Sequence, residues 1–189
     1  MAYDVAYGHG KLHRKRIWIA VNDLCDGLTI EENGAASSSG CGRGPGPSHP
    51  ELGRLTAYPT YKLLASLPTR PGPLLARIKA ASKKPGPPNL RVMLTISNVL
   101  VNSIAPRQLT AALYRVAATM PGLHVVQHAT DPHGRPGFGI TFSSAGTRIE
   151  WIFNAKTASL IGERITVAKN SKADRQIAPR ARAFTNADG

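Results

Sequence analysis

The sequence predicts an α+β fold, an antiparallel sheet covered by two or three helices, and three observations carry that reading. Over residues 106–120 the apolar side chains recur at helical spacing; from residue 123 onward the period drops to two, in four short segments separated by turn residues; and a second alternating stretch near the N-terminus reads as a hairpin. The expected parts are a basic arm over 1–14, one α+β domain over 15–168 with a flexible loop at 33–50, and a basic disordered tail over 169–189.

In chain order, the first element is the hairpin. Ile17, Ile19 and Val21 alternate with Trp18 and Ala20, and the run from Asn22 to Gly27 can turn the chain into Leu28-Thr29-Ile30-Glu31. A lone strand pair is marginal in water, so it should join the C-terminal sheet or extend a sheet whose other strands lie outside this chain. The Gly, Ser, Pro and Ala residues of 33–50 offer almost nothing to bury and read as a loop. Thr69 is placed to cap a helix that begins at Pro71 and buries Leu74, Leu75 and Ile78. After the Lys83-Lys84-Pro85-Gly86-Pro87-Pro88 linker, Asn89 can cap a second helix, with Leu90, Met93, Leu94, Leu100, Val101 and Ile104 on one face. Asn98, Asn102, Ser103 and the β-branched Val99 and Val101 weigh against that helix, because they compete for backbone hydrogen bonds or lose rotamer freedom.

The third helix is written most plainly. Leu109, Ala112, Leu113, Val116, Ala117 and Met120 share a face, Pro106 suits the first helical position, and Pro121-Gly122 ends the run. Four strands follow. Residues 123–130 alternate loosely, Asp131 to Gly137 forms a turn cluster, and Phe138, Ile140 and Phe142 share a face. Beyond Ser144-Ala145-Gly146, Ile149, Trp151 and Phe153 oppose Arg148, Glu150 and Asn154, and Ile161, Ile165 and Val167 continue the apolar face. Connections this short require antiparallel pairing.

The net charge is +13, from 24 Lys and Arg against 11 Asp and Glu. One cluster comprises Lys11, Arg14, Lys15 and Arg16 beside His9 and His13; another comprises Lys169, Lys172, Arg175, Arg180 and Arg182. Such clusters attract phosphates or anionic head groups, so weak, non-specific polyanion binding through Lys11, Arg14, Lys15 and Arg16 is expected, beside the plainer reading of a solvated basic surface. No RNA-binding aromatic signature, zinc-finger spacing or basic-zipper pattern accompanies the charge.

Cys25 and Cys41 are the only cysteines, and either a disulfide or two unrelated thiols fits their spacing. His124 and His128 share a strand face with His133 in the following turn, yet positions four apart on a strand lie about 13 Å apart, too far for one metal ion without a bulge. Asp131 reads as turn chemistry and Glu150 as a solvent-facing strand residue paired across to Arg148 or Arg164; Ser48, His49 and Glu51 are adjacent in sequence only. No nucleophile elbow, phosphate loop or dinucleotide fingerprint is present, so no enzyme activity, cofactor or metal is expected.

Several segments together resemble a family. Leu67-Pro68-Thr69 before Leu74-Leu75, Ala112-Leu113-Tyr114-Arg115 with Pro121-Gly122, Asp131 to Gly137, and Ile152-Phe153-Asn154-Ala155-Lys156-Thr157 with Leu160-Ile161-Gly162-Glu163-Arg164 resemble an uncharacterised actinobacterial family. Its members are single-pass membrane proteins, often encoded beside sigma-factor genes, and the similarity is to their C-terminal, extracytoplasmic half. The chain departs from that pattern at Arg70 and Asn154, where acidic residues are usual, and it lacks a membrane-spanning run or a signal peptide. A truncated family member, or a start upstream of Met1, would account for this.

The resemblance implies a non-catalytic sensor or ligand- or partner-binding module on the outer side of the plasma membrane, with an apolar cleft between helices and sheet. The alternative is a basic cytoplasmic protein that binds nucleic acid non-specifically through the arm and the tail. On either reading 1–14 and 169–189 lie outside the folded core.

Overall fold

The computed structural model describes residues 1–21, 28–39, 55–82 and 85–184. Among them are nine strands: β1 (Ala2–Tyr7), β2 (His13–Ile19), β3 (Leu28–Glu32), β4 (Ala35–Ser39), β5 (Leu123–Thr130), β6 (Pro136–Ser144), β7 (Thr147–Phe153), β8 (Leu160–Val167) and β9 (Arg175–Ala181). The four α-helices are α1 (Tyr61–Ala65), α2 (Pro71–Ala81), α3 (Pro88–Asn102) and α4 (Arg107–Ala118). All nine strands form one antiparallel sheet in the order β4-β3-β2-β1-β9-β8-β7-β6-β5.

The N-terminal hairpin therefore joins the C-terminal strands, and the link is made by segments that the sequence reading placed outside the fold. The arm over 1–14 holds β1 and the start of β2, and the tail over 169–189 holds β9, which pairs with β1 on one side and β8 on the other. The cause is long-range pairing: Val5 faces Ile177 across the β1–β9 ladder, and both are buried with Tyr3, Ile17 and Val101. Neither segment has enough apolar residues to show a strand period alone. The loop over 33–50 also changes, because β3 continues through Asn33 and Gly34 into β4. Both turn residues have positive φ, 53° and 78°, as a two-residue hairpin turn with the twist of its strands requires. Residues 40–50, including Cys41, and the expected turn over 22–27, with Cys25, lie outside the described residues.

The helices pack on one face. Along β7, Ile149, Trp151 and Phe153 meet Leu109, Leu113 and Val116 of α4 and Met93, Ile96 and Leu100 of α3 in one continuous core. The space between the layers, where an apolar cleft was expected, is occupied by these side chains; Trp151 and Leu113 are each 1% exposed. The indole N–H of Trp151 donates to Ser97 Oγ at 2.7 Å, which satisfies the one polar atom of that ring in the core.

Of the polar residues that weigh against α3, Asn98 makes a tertiary contact and Ser103 bonds back to its own helix. Asn98 donates to the carbonyls of Leu55 and Ala57, and Ser103 Oγ donates to Val99 O. Helix starts shift by one or two residues: Arg70, Pro87 and Pro106 are the N-caps of α2, α3 and α4, where the sequence suggests Thr69, Asn89 and a helix beginning at Pro106 itself. The short helix α1, capped by Thr60 through Leu63 N–H, was not anticipated.

Candidate anionic-partner interface

On the sheet, acidic and basic side chains meet. Because Lys15 lies directly opposite Glu32, its ammonium reaches that carboxylate at 2.8 Å and the Tyr7 hydroxyl at 3.2 Å. His13 Nε2 contacts the other Glu32 oxygen at 2.7 Å. Burial lowers the Lys15 pKa, but Glu32 and Tyr7 outweigh it and raise it overall. On the same face, Arg175 of β9 donates to Glu163 of β8 at 2.6 Å, and the Glu163 side chain is fully buried. One oxygen of Glu163 and Nε of Arg175 have no protein partner among the described residues.

The opposite face holds a second network. Asp4 accepts from Arg14 at 3.3 Å and from Arg180 at 2.5 Å, and His133 approaches it at 2.9 Å. Burial pushes the Asp4 carboxyl up, but hydrogen bonds and charge from Arg180, Arg14 and His133 leave it below the ordinary carboxylate range. His133 reaches Asp4 because the β5–β6 connection folds back over the sheet. Asp131 Oδ1 accepts the N–H groups of His133 and Arg135, and its other oxygen accepts from the Arg135 guanidinium at 2.6 Å. Glycine permits the approach: a Cβ on Gly162 of β8 would sit 3.0 Å from both Asp131 Cβ and Pro132 Cδ. Also on this face, Glu150 contacts Arg164 at 3.3 Å and Arg148 at 3.7 Å, and Arg16 contacts Glu31 at 3.0 Å.

These pairings change the sequence-based assignment of a phosphate-binding cluster. Arg14, Lys15 and Arg16 each contact a carboxylate, as do Arg175 and Arg180 of the tail; Lys11 is exposed. Asp131 is the turn organiser that was expected, and Glu150 is more enclosed than a solvent-facing residue, with a side chain 13% exposed. The ladder between β5 and β6 does shift between Val126 and Ala129, so the bulge that a shared His124–His128 metal would need is present, but both rings are exposed and His133 is committed to Asp4. Among the described residues no three His, Cys, Asp or Glu are placed to hold a metal ion. Ser48, His49 and Glu51 lie outside them.

The unbalanced charge lies elsewhere. From residue 52 to residue 130 the chain has ten Lys or Arg and no Asp or Glu, while all other residues together have 14 and 11. The net charge of +13 is therefore +10 from this stretch and +3 from the rest. The stretch holds all four helices, none of which has an acid in its first turn. Lys62, Arg70, Lys79, Arg107 and Arg115 are exposed, and Arg77 and Arg91 are half-buried. The helices thus carry exposed cations and no acid, and α2, α3 and α4 have no side-chain cap at their N-termini. This signal was available in the sequence, as the spacing between successive acids rather than the clustering of bases.

A shallow depression of about 390 Å³ lies among Ser143, Ser144, Thr147, Arg148 and Thr166 at the β6–β7 turn. Val167 and Ala168 also line it, and no helix residue does.

The chain matches no family model, no curated protein and no solved structure. The similarity to the membrane-protein family rests on the sequence segments alone.

Proposed function

We propose that this chain is a non-catalytic binding module that presents its helical layer to an anionic partner, with the sheet as a scaffold that neutralises its own charge. The observation that carries the reading is the acid-free stretch 52–130, which supplies all four helices along with the edge strand β5. A surface of one sign concentrates counter-charged partners and accelerates their encounter. The non-catalytic part is supported by the state of the obvious acid–base candidates, since Asp131 and Glu150 are engaged by Arg135 and Arg164. Placement on the outer side of the plasma membrane, as the family resemblance implies, belongs to the proposal; no helix among the described residues is long and apolar enough to cross a membrane.

The cytoplasmic nucleic-acid alternative, in its arm-and-tail form, draws less support, because the cations it relied on are largely engaged within the sheet. The test is binding to heparin, a generic polyanion, across a salt series. Affinity should fall steeply with ionic strength, and neutralising Lys62, Lys79, Arg107 and Arg115 to Gln together should weaken it far more than Lys11→Gln with Lys169→Gln and Lys172→Gln. Equal loss in the two sets, or none in the first, overturns the reading.

A further inference from the structure

We propose that the anionic partner of the helical layer is a phospholipid bilayer surface, entered by an apolar patch of Val21, Tyr61 and Phe184. This rests on the reading of the helical layer as an anion-binding surface. Val21 is 44% exposed, Tyr61 37% and Phe184 57%. They are neighbours although they come from three parts of the chain. The Tyr61 and Phe184 rings meet edge to face with centroids 5.2 Å apart, and the N–H of Lys62 donates to the Val21 carbonyl at 3.0 Å, which ties the start of α1 to the chain just beyond β2. Single exposed apolar residues are ordinary, but a cluster of two aromatic rings and a valine in water is not.

The charge beside the patch selects its occupant. Lys62 is exposed within α1, where the acid-free helical layer begins. An apolar protein partner would gain nothing from that charge. A nucleic acid would use it, but an edge-to-face ring pair beside an aliphatic side chain is not a platform of free flat faces for bases. An anionic bilayer uses both features: head groups are drawn to Lys and Arg, and aromatic rings settle at the boundary between head group and acyl chain.

Co-sedimentation of the full chain with vesicles tests this, comparing phosphatidylcholine alone with phosphatidylcholine mixed with phosphatidylglycerol. Binding is expected to the mixed vesicles only. Phe184 lies beyond the last strand, so Phe184→Ser should leave the circular dichroism and heparin binding unchanged while weakening vesicle affinity about tenfold. Tyr61→Ser should act in the same direction, and Lys62→Glu should weaken binding to vesicles and heparin alike. Vesicle affinity unchanged in both Phe184→Ser and Tyr61→Ser overturns the patch. A protein that binds heparin or single-stranded DNA in a salt-dependent way but ignores the mixed vesicles overturns the bilayer and leaves the broader reading in place. A protein that binds none of them overturns both.

Discussion

Trp151 shows how one side chain joins the two layers. Its ring is edge-on to Tyr114 of α4, with centroids 6.2 Å apart, and its N–H reaches Ser97 of α3. Ser97→Ala would leave a buried donor without a partner, at a cost of about 1–3 kcal/mol measured by denaturant unfolding. Trp151 should supply the blue-shifted, iodide-resistant part of the fluorescence, and Trp151→Phe should remove it; emission like free indole would mean a strand register off by one residue. The facing of Trp151 was legible from the period of two along β7. Its bond to Ser97 was not, because a serine inside an apolar helix carries no mark of what it will accept. Asp4 gives a pH prediction of definite sign. Its folded-state pKa lies below the unfolded one, so its ionised form stabilises the protein above the ordinary carboxylate range, and that contribution is lost as pH falls through the folded value. Asp4→Asn should therefore be less stable than the parent at neutral pH, and the gap should close in acid; a constant gap across the titration would contradict the Asp4 network.

At the scale of elements, legibility followed locality. Helix α4 and strands β5 to β8 have enough apolar residues at regular spacing to be read one at a time. The strands at the centre of the sheet do not: Arg14, Lys15 and Arg16 look like a phosphate-binding run until Asp4, Glu32 and Glu31 are brought alongside from other strands. The β3–β4 turn was legible, since Asn-Gly is a strong hairpin signal, but Ala, Ser and Gly around it masked the strand. Deleting 169–189, which the sequence reading treated as harmless, removes β9 and separates β1 from β8. Such a chain should lose its cooperative thermal transition, and retention of the parent melting temperature would refute the sheet order. Helix-on-sheet packing is tested by Leu113→Ala, expected to cost about 2–5 kcal/mol through lost burial and a residual cavity, against about 0.5 kcal/mol or less for the exposed Arg107→Ala.

Over the whole molecule, charge is sorted by layer. The sheet brings its acids and bases together across strands, while the helices carry only bases, so solvent meets a near-neutral scaffold on one side and a cationic layer on the other. Base clusters in the sequence overstate the free charge of the arm and tail because ion pairing between distant strands cannot be seen in a linear count, whereas a 79-residue stretch without an acid can. The central claim is that the helical layer, and not the arm or tail, holds the anionic partner. The most direct measurement is salt-dependent heparin affinity of the variant with Lys62, Lys79, Arg107 and Arg115 all changed to Gln, each on the exposed side of a helix. The account predicts a folded protein with the parent circular dichroism, much weaker binding, and a slope of log affinity against log salt reduced by up to about four. A folded variant that keeps the parent affinity and slope would contradict it.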